Sequence, residues 1–235
     1  MVKLLISLFF VYNFFCTEAQ KLKTITKNTP IITEEFQVLN SDKNVKYGSY
    51  NRKLFSGIIM TKGLYENNIK KGIWEFFDFR TGTLEQKCDY DNDSLTFSNV
   101  LNVSNLKFKY NGDWINGKLD RLPELIGGLS SLKVKIIELD RIYNFDPFKP
   151  IFPKAGYTLF SFIITKNGEV TDPKIVQSPG NSFEKEIINA IGETSTNWKP
   201  ALYHGNPVDV EFKIGMIISY TQNSDELKSY LIYFE

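Results

Sequence analysis

Apolar and polar residues alternate in short runs through the first half of the chain. The spacing lengthens to a helical one in only two places, both in the second half. Residues 20–32 are polar and weakly patterned and read as an arm leading into the first strand. Phe36-Gln37-Val38-Leu39 predicts a strand, residues 40–44 a turn and residues 45–50 its hairpin partner. Further strands are predicted at 58–60, 63–65, 73–78 and 84–90. The turn signals Asn67-Asn68, Lys70-Lys71-Gly72 and Thr81-Gly82 separate them. Leu101, Val103, Leu106, Phe108 and Tyr110 continue the alternation, and Asn111-Gly112 is a turn dipeptide.

In the second half, Leu129, Leu132, Ile136 and Leu139 fall at helical spacing. Val134 and Ile137 widen that stripe, so residues 129–142 are predicted as a helix. The prolines in residues 146–153 exclude helix interior and predict an extended crossover. Residues 157–165 are apolar on both faces, as a central strand would be. Lys166-Asn167-Gly168-Glu169 is a hairpin turn leading into a strand over 170–177, where Pro173 implies an edge or a bulge. Ser182 is placed to cap a second helix with Phe183, Ile187, Ile188 and Ile191 on its apolar face. Residues 208–219 form the last long strand. A polar tail follows, ending in a short strand candidate at 230–234.

The first residues carry a different pattern. Lys3 precedes an apolar run over 4–16, the length of a signal-peptide core and too short to span a bilayer. Thr17-Glu18-Ala19 before Gln20 predicts cleavage after Ala19. The bulky Phe14-Phe15 argues against lipid attachment at Cys16, and Asn13 against an uncleaved anchor. Cleavage leaves Cys88 alone, so an exported chain would be held by core packing with no internal disulfide. Across 235 residues there are 28 Lys and Arg against 27 Asp and Glu. This balance gives no electrostatic pull toward nucleic acid or an acidic membrane surface.

Candidate chemistry is sparse. His204 is the single histidine and sits in a polar turn, where a surface residue is the preferred reading over a ligand or a base. Asp89-Tyr90-Asp91-Asn92-Asp93 has oxygens at alternate positions. It lacks the glycine and distal glutamate of a calcium loop, and it reads as a solvated hairpin tip. Cys88 reads as a small strand residue, not a reactive thiol. No nucleophile motif and no phosphate-cradling glycine loop appears, so no catalytic residue, metal or cofactor is assigned.

Two stretches resemble known families. The first runs over residues 122–220: Leu122-Pro123-Glu124-Leu125-Ile126-Gly127-Gly128, Gly168-Glu169-Val170, Ser178-Pro179-Gly180, and Trp198-Lys199-Pro200-Ala201 after an amphipathic helix. It resembles the TonB C-terminal domain family. The second, weaker, covers residues 48–93. Gly63-Leu64-Tyr65, a polar turn, then Gly72-Ile73-Trp74-Glu75-Phe76-Phe77-Asp78 is similar to a MORN-like unit, and a partial copy follows at Cys88-Asp89-Tyr90.

The resemblances imply an α+β protein: an antiparallel MORN-like β-meander, then a TonB C-terminal-like domain of three antiparallel strands with two helices on one face. The expected parts are a signal peptide (1–19), the meander module (20–116), a linker (117–128), the TonB-like domain (129–220) and a tail (221–235). The family implies a periplasmic, non-enzymatic protein-binding role. Its partner would be a protein of the periplasm or outer membrane, with a TonB-dependent receptor of outer-membrane transport among the candidates, and with no nucleic acid and no transmembrane segment after cleavage. The expected contact is strand addition along residues 208–218, through the backbone of Val208, Val210, Phe212 and Ile214. Gly168, Trp198 and Pro200 are expected to be structural. The chain departs from energy-transducing family members, which have a transmembrane helix and a long proline-rich spacer. A scaffold whose meander makes the main contacts, and a hydrolase, are the other classes left open.

Overall fold

In a computed structural model, the described residues are 21–29, 31–99, 105–144, 156–180, 184–195, 197–221 and 224–234. The expected signal peptide, the Cys16 site, the 146–153 crossover and the Ser182 cap lie outside them.

The first half is a seven-stranded antiparallel meander in sequential order: β1 (Leu22–Asn28), β2 (Ile32–Leu39), β3 (Lys46–Leu54), β4 (Ile59–Glu66), β5 (Ile69–Phe77), β6 (Leu84–Asp89) and β7 (Ser94–Ser98). Sequential order follows from short connections. Between β4 and β5 there are only Asn67 and Asn68, at φ 51° and 67°, the two left-handed positions of a tight hairpin turn. One face carries an aromatic row. Trp74 is 1% exposed, and Tyr65 and Tyr90 meet it edge-on at 5.1 and 5.8 Å. Those two tyrosines hold equivalent places in the two repeat copies. The architecture is thus compatible with a MORN-like module, although the predicted strands at 58–60 and 63–65 are one continuous β4.

The second half is built around a larger sheet than expected. It contains β8 (Leu106–Tyr110), β9 (Asp113–Gly117), β11 (Gly156–Ile164), β12 (Val170–Gln177), β16 (Val210–Thr221) and β17 (Ser224–Phe234). Their order is β12-β11-β16-β8-β9, with β17 also paired to β16. Two small ladders flank it: β10 (Glu124–Leu125) with β13 (Trp198–Lys199), and β14 (Ala201–Tyr203) with β15 (Asn206–Val208).

The three-stranded expectation is therefore corrected to six strands. Strands β8 and β9, expected in the meander module, form a hairpin on Asn111-Gly112 that joins this second sheet. The segment expected as a tail supplies β17. Alternation marks a segment as strand but does not name the sheet it joins.

Helices α1 (Leu129–Asn144) and α2 (Glu184–Gly192) bury Leu132, Ile136, Ile187 and Ile191 in one cluster with Phe160, Phe162, Ile164, Val210, Phe212 and Ile214. These strand residues alternate along β11 and β16, so both helices cover a single face. The expected linker is packed: Leu119 and Leu125 are in this core, and Gln86 Nε2 donates to Leu125 O at 3.0 Å.

Candidate functional site

Strand β16 is an interior strand. On one side Val210 pairs with Ile164, and the ladder with β11 runs on to Ile218 opposite Gly156. On the other side Val210 and Glu211 face Phe108 and Lys107 of β8, and from Ile214 onward the partner is β17, starting at Phe234. Val208, Val210, Phe212 and Ile214 are 4%, 0%, 2% and 0% exposed. The expectation that these four residues line an open margin is corrected. Their hydrophobicity correctly marked burial, but β8 lies about a hundred positions earlier in the chain. No local pattern announces that pairing.

The motif residues fix a corner. The Trp198 indole donates to Thr194 Oγ1 at 3.0 Å and packs on Phe162 and Phe212 with ring centroids 6.1 and 5.5 Å away. Gly168 (φ 80°) lies against the main chain of Trp198, where an added Cβ would sit 2.1 Å from the Trp198 carbonyl oxygen. Arg121 Nη2 donates to Pro200 O at 3.0 Å.

His204 is exposed at φ 49°, its ring against Tyr203. In the acidic hairpin tip, Asp89 accepts the N–H groups of Asp91 and Asn92, Asp91 pairs with Lys71, and Asp93 pairs with Lys199. Cys88 is buried, and burial pushes its thiol up to about 11. Among the described residues no group of side chains is arranged to hold a metal, and no helix is long and apolar enough to cross a membrane.

With β16 enclosed, the sheet margins among the described strands are elsewhere. Strand β12 is a poor template. Asp172 sits at φ 50°, Pro173 lacks an N–H, and its ladder with β11 has two register shifts. The ladder of β7 is also shifted. The ladder of β17 is shifted twice and β9 offers five unbroken residues, whereas β1 gives a longer even margin, pairing with β2 over seven residues without a break and containing no proline.

The side of β1 that faces outward follows from the ladder. Asn40 N donates to Lys21 O and Thr29 N to Ile32 O, so Lys21, Thr29 and the odd-numbered residues between them bond toward β2. The backbone groups of Leu22, Thr24, Thr26 and Asn28 therefore point away from the sheet. Seven residues with outward donors and acceptors at alternate positions can accept another strand.

The aromatic face of the meander is cationic. Lys70 Nζ sits 4.7 Å from the ring centres of both Trp74 and Tyr90, and Lys46 Nζ sits 4.8 Å from Phe36 and 5.0 Å from Tyr65. Burial lowers the pKa of Lys70 and raises that of Tyr65. The lysine stems close the apolar row while their charges rest on ring faces.

The enclosed corner around Trp198 lies in a recognisable stretch. Residues 154–217 match the family of the Gram-negative bacterial TonB protein C-terminal. No curated protein and no solved structure matches the chain. The TonB C-terminal family is one of periplasmic, non-enzymatic protein-interaction domains. The matched residues hold β11, β12, α2 and most of β16, together with Gly168, Trp198 and Pro200. Strands β8, β9 and β17 complete the same sheet from outside the match.

Proposed function

We propose that this is a protein-binding module of the cell envelope, exported by cleavage after Ala19, in which the meander presents the contact and the TonB-like unit is its rigid base. The observation that carries the reading is the unbroken outward margin of β1, beside a TonB-like sheet whose β16 is enclosed on both sides. We place the boundary between the two units at residues 99–105, between β7 and β8, earlier than residue 116. The partner is a polypeptide with an extended segment, which adds antiparallel or parallel to β1.

A proline at Thr24 or Thr26 removes an outward N–H without taking a bond from the β1–β2 ladder. Thr24→Pro and Thr26→Pro should therefore keep the unfolding midpoint. Each should cut partner recovery at least about tenfold, the cost of roughly one lost strand bond or more. Recovery is measured by affinity capture from periplasm with mass spectrometry. Full recovery by both folded variants would remove the β1 mechanism.

The family match supports a second reading, an adaptor associated with outer-membrane transport. It requires an outer-membrane receptor among the captured proteins, and capture of other envelope proteins alone would count against it.

A further inference from the structure

We infer that the helix-free face of the second sheet binds one ring of a neutral saccharide, stacked on Trp114. This inference does not rest on the strand-addition reading. A cavity of about 180 Å³ opens on that face, between β9 and β12. A void of roughly 150 Å³ suffices for benzene, so this one has room for a single six-membered ring. Trp114 is 39% exposed and forms one wall. Ile163 adds apolar surface from β11.

The polar groups around this platform come in balanced pairs. Glu211 accepts from Ser161 Oγ at 3.0 Å and lies 3.7 Å from Lys107 Nζ, which itself sits 5.6 Å from the Trp114 ring centre. Across the cavity Lys174 pairs with Asp172 at 2.8 Å. Asp172 reaches this face at φ 50°, where the β11–β12 register shifts, and bulges commonly re-aim side chains in this way.

Among the described residues, two ammonium groups and two carboxylates leave the cavity without net charge, which disfavours an ionic ligand. Lys109 and Lys213 share the face through their pairing with Trp114 and Ser161 but do not line the cavity. A pyranose fits the remaining chemistry. Its C–H face is apolar and flat enough for an indole, and its rim of hydroxyls both donates and accepts. Each carboxylate can take a hydroxyl proton, and each ammonium can donate to a hydroxyl oxygen. Glu211 is only partly exposed and held by two partners, so it meets a ligand pre-oriented.

The molecule carries its own reporter. Of its three tryptophans, Trp74 and Trp198 are 1% and 3% exposed, so changes in emission come from Trp114. The probes are methyl β-glucopyranoside, methyl β-galactopyranoside and methyl N-acetyl-β-glucosaminide, with sodium glucuronate as the charged control. At least one neutral probe should change Trp emission saturably, with a dissociation constant on the order of 1 mM.

Saturation-transfer NMR then compares variants of the full chain. Trp114→Ala should lose the transfer, Glu211→Gln should weaken binding at least about fivefold, and Thr24→Pro should bind as the parent does. Absence of saturable binding by every neutral probe would overturn the assignment, as would binding unchanged in Trp114→Ala. Tighter binding of glucuronate would mark an anion site and overturn it too. If Trp114→Ala fails to fold, unchanged binding in Glu211→Gln is the deciding result against it.

Discussion

Gly63 lies under the Trp74 ring so closely that a Cβ there would fall 2.3 Å from the indole. The ring cannot easily move aside, because its N–H donates to Leu64 O at 3.1 Å and Tyr50, Tyr65 and Tyr90 pack around it. The spacing of glycine and tryptophan in the repeat unit is thus a matter of space, not of turn geometry, since Gly63 is not among the positive-φ glycines. In the partial second copy Cys88 holds the corresponding place, opposite Trp74 in register. Gly63→Ala should cost about 1–3 kcal/mol, the range for overpacking a filled core, read as a fall in the urea midpoint. A variant as stable as the parent would mean that the ring is free to give way.

Helix α1 illustrates what an element's own sequence leaves unsaid. Its apolar spacing predicted it correctly, but its first turn contains no acidic residue to meet the helix dipole. The acid comes from the meander. The Glu85 carboxylate accepts the N–H of Leu129 at 2.9 Å and of Ser130 at 3.2 Å. Gly128, at φ 78°, leaves room for that approach, since an added Cβ would lie 2.9 Å from Glu85 Oε2. Glu85→Ala should cost about 1 kcal/mol, as loss of a helix cap does, and should increase amide exchange in the first turn of α1. Equal exchange in the variant would show that the contact is incidental.

The same division between local and distant information runs through the whole chain. Turns such as Asn67-Asn68 and Asn111-Gly112, and the hairpin at Gly168, are set by two or four adjacent residues and were legible. The neighbours of β16, the incorporation of β8 and β9 and the length of β17 depend on contacts far apart in sequence, and alternation is silent about them. The candidate surface on the second sheet was missed for that reason. Lys107, Trp114, Ser161, Asp172 and Glu211 come from five strands, and none sits in a motif.

At the scale of the molecule, the two sheets share their cores through α1. Leu132 and Ile136 pack into the second sheet's core, whereas Val134 is 1% exposed among Ile31, Ile32 and Met60 of the meander. Polar contacts follow the same line. Gly127 N donates to Gln86 Oε1 at 2.8 Å, Thr29 Oγ1 donates to Glu138 at 2.7 Å, and Arg52 lies 3.7 Å from Glu138. The meander is a single layer, and a lone layer cannot bury both its faces. The residues 124–137 that cover one end of it are therefore part of its stability, and separating the units would expose Ile31, Ile32, Met60 and Val134 together. It follows that the two sheets should unfold as one unit. Hydrogen exchange under increasing urea should give the amides of β3–β5 and of β11–β16 the same midpoint. Val134→Asp, which places an unpaired carboxylate in the shared cluster, should lower both midpoints together, reflecting a loss of about 3 kcal/mol or more for a buried unpaired charge. If that variant releases the meander while the β11–β16 amides keep their protection, the units are independently stable, and the meander's open margin at β1 would then belong to a part that moves relative to its base.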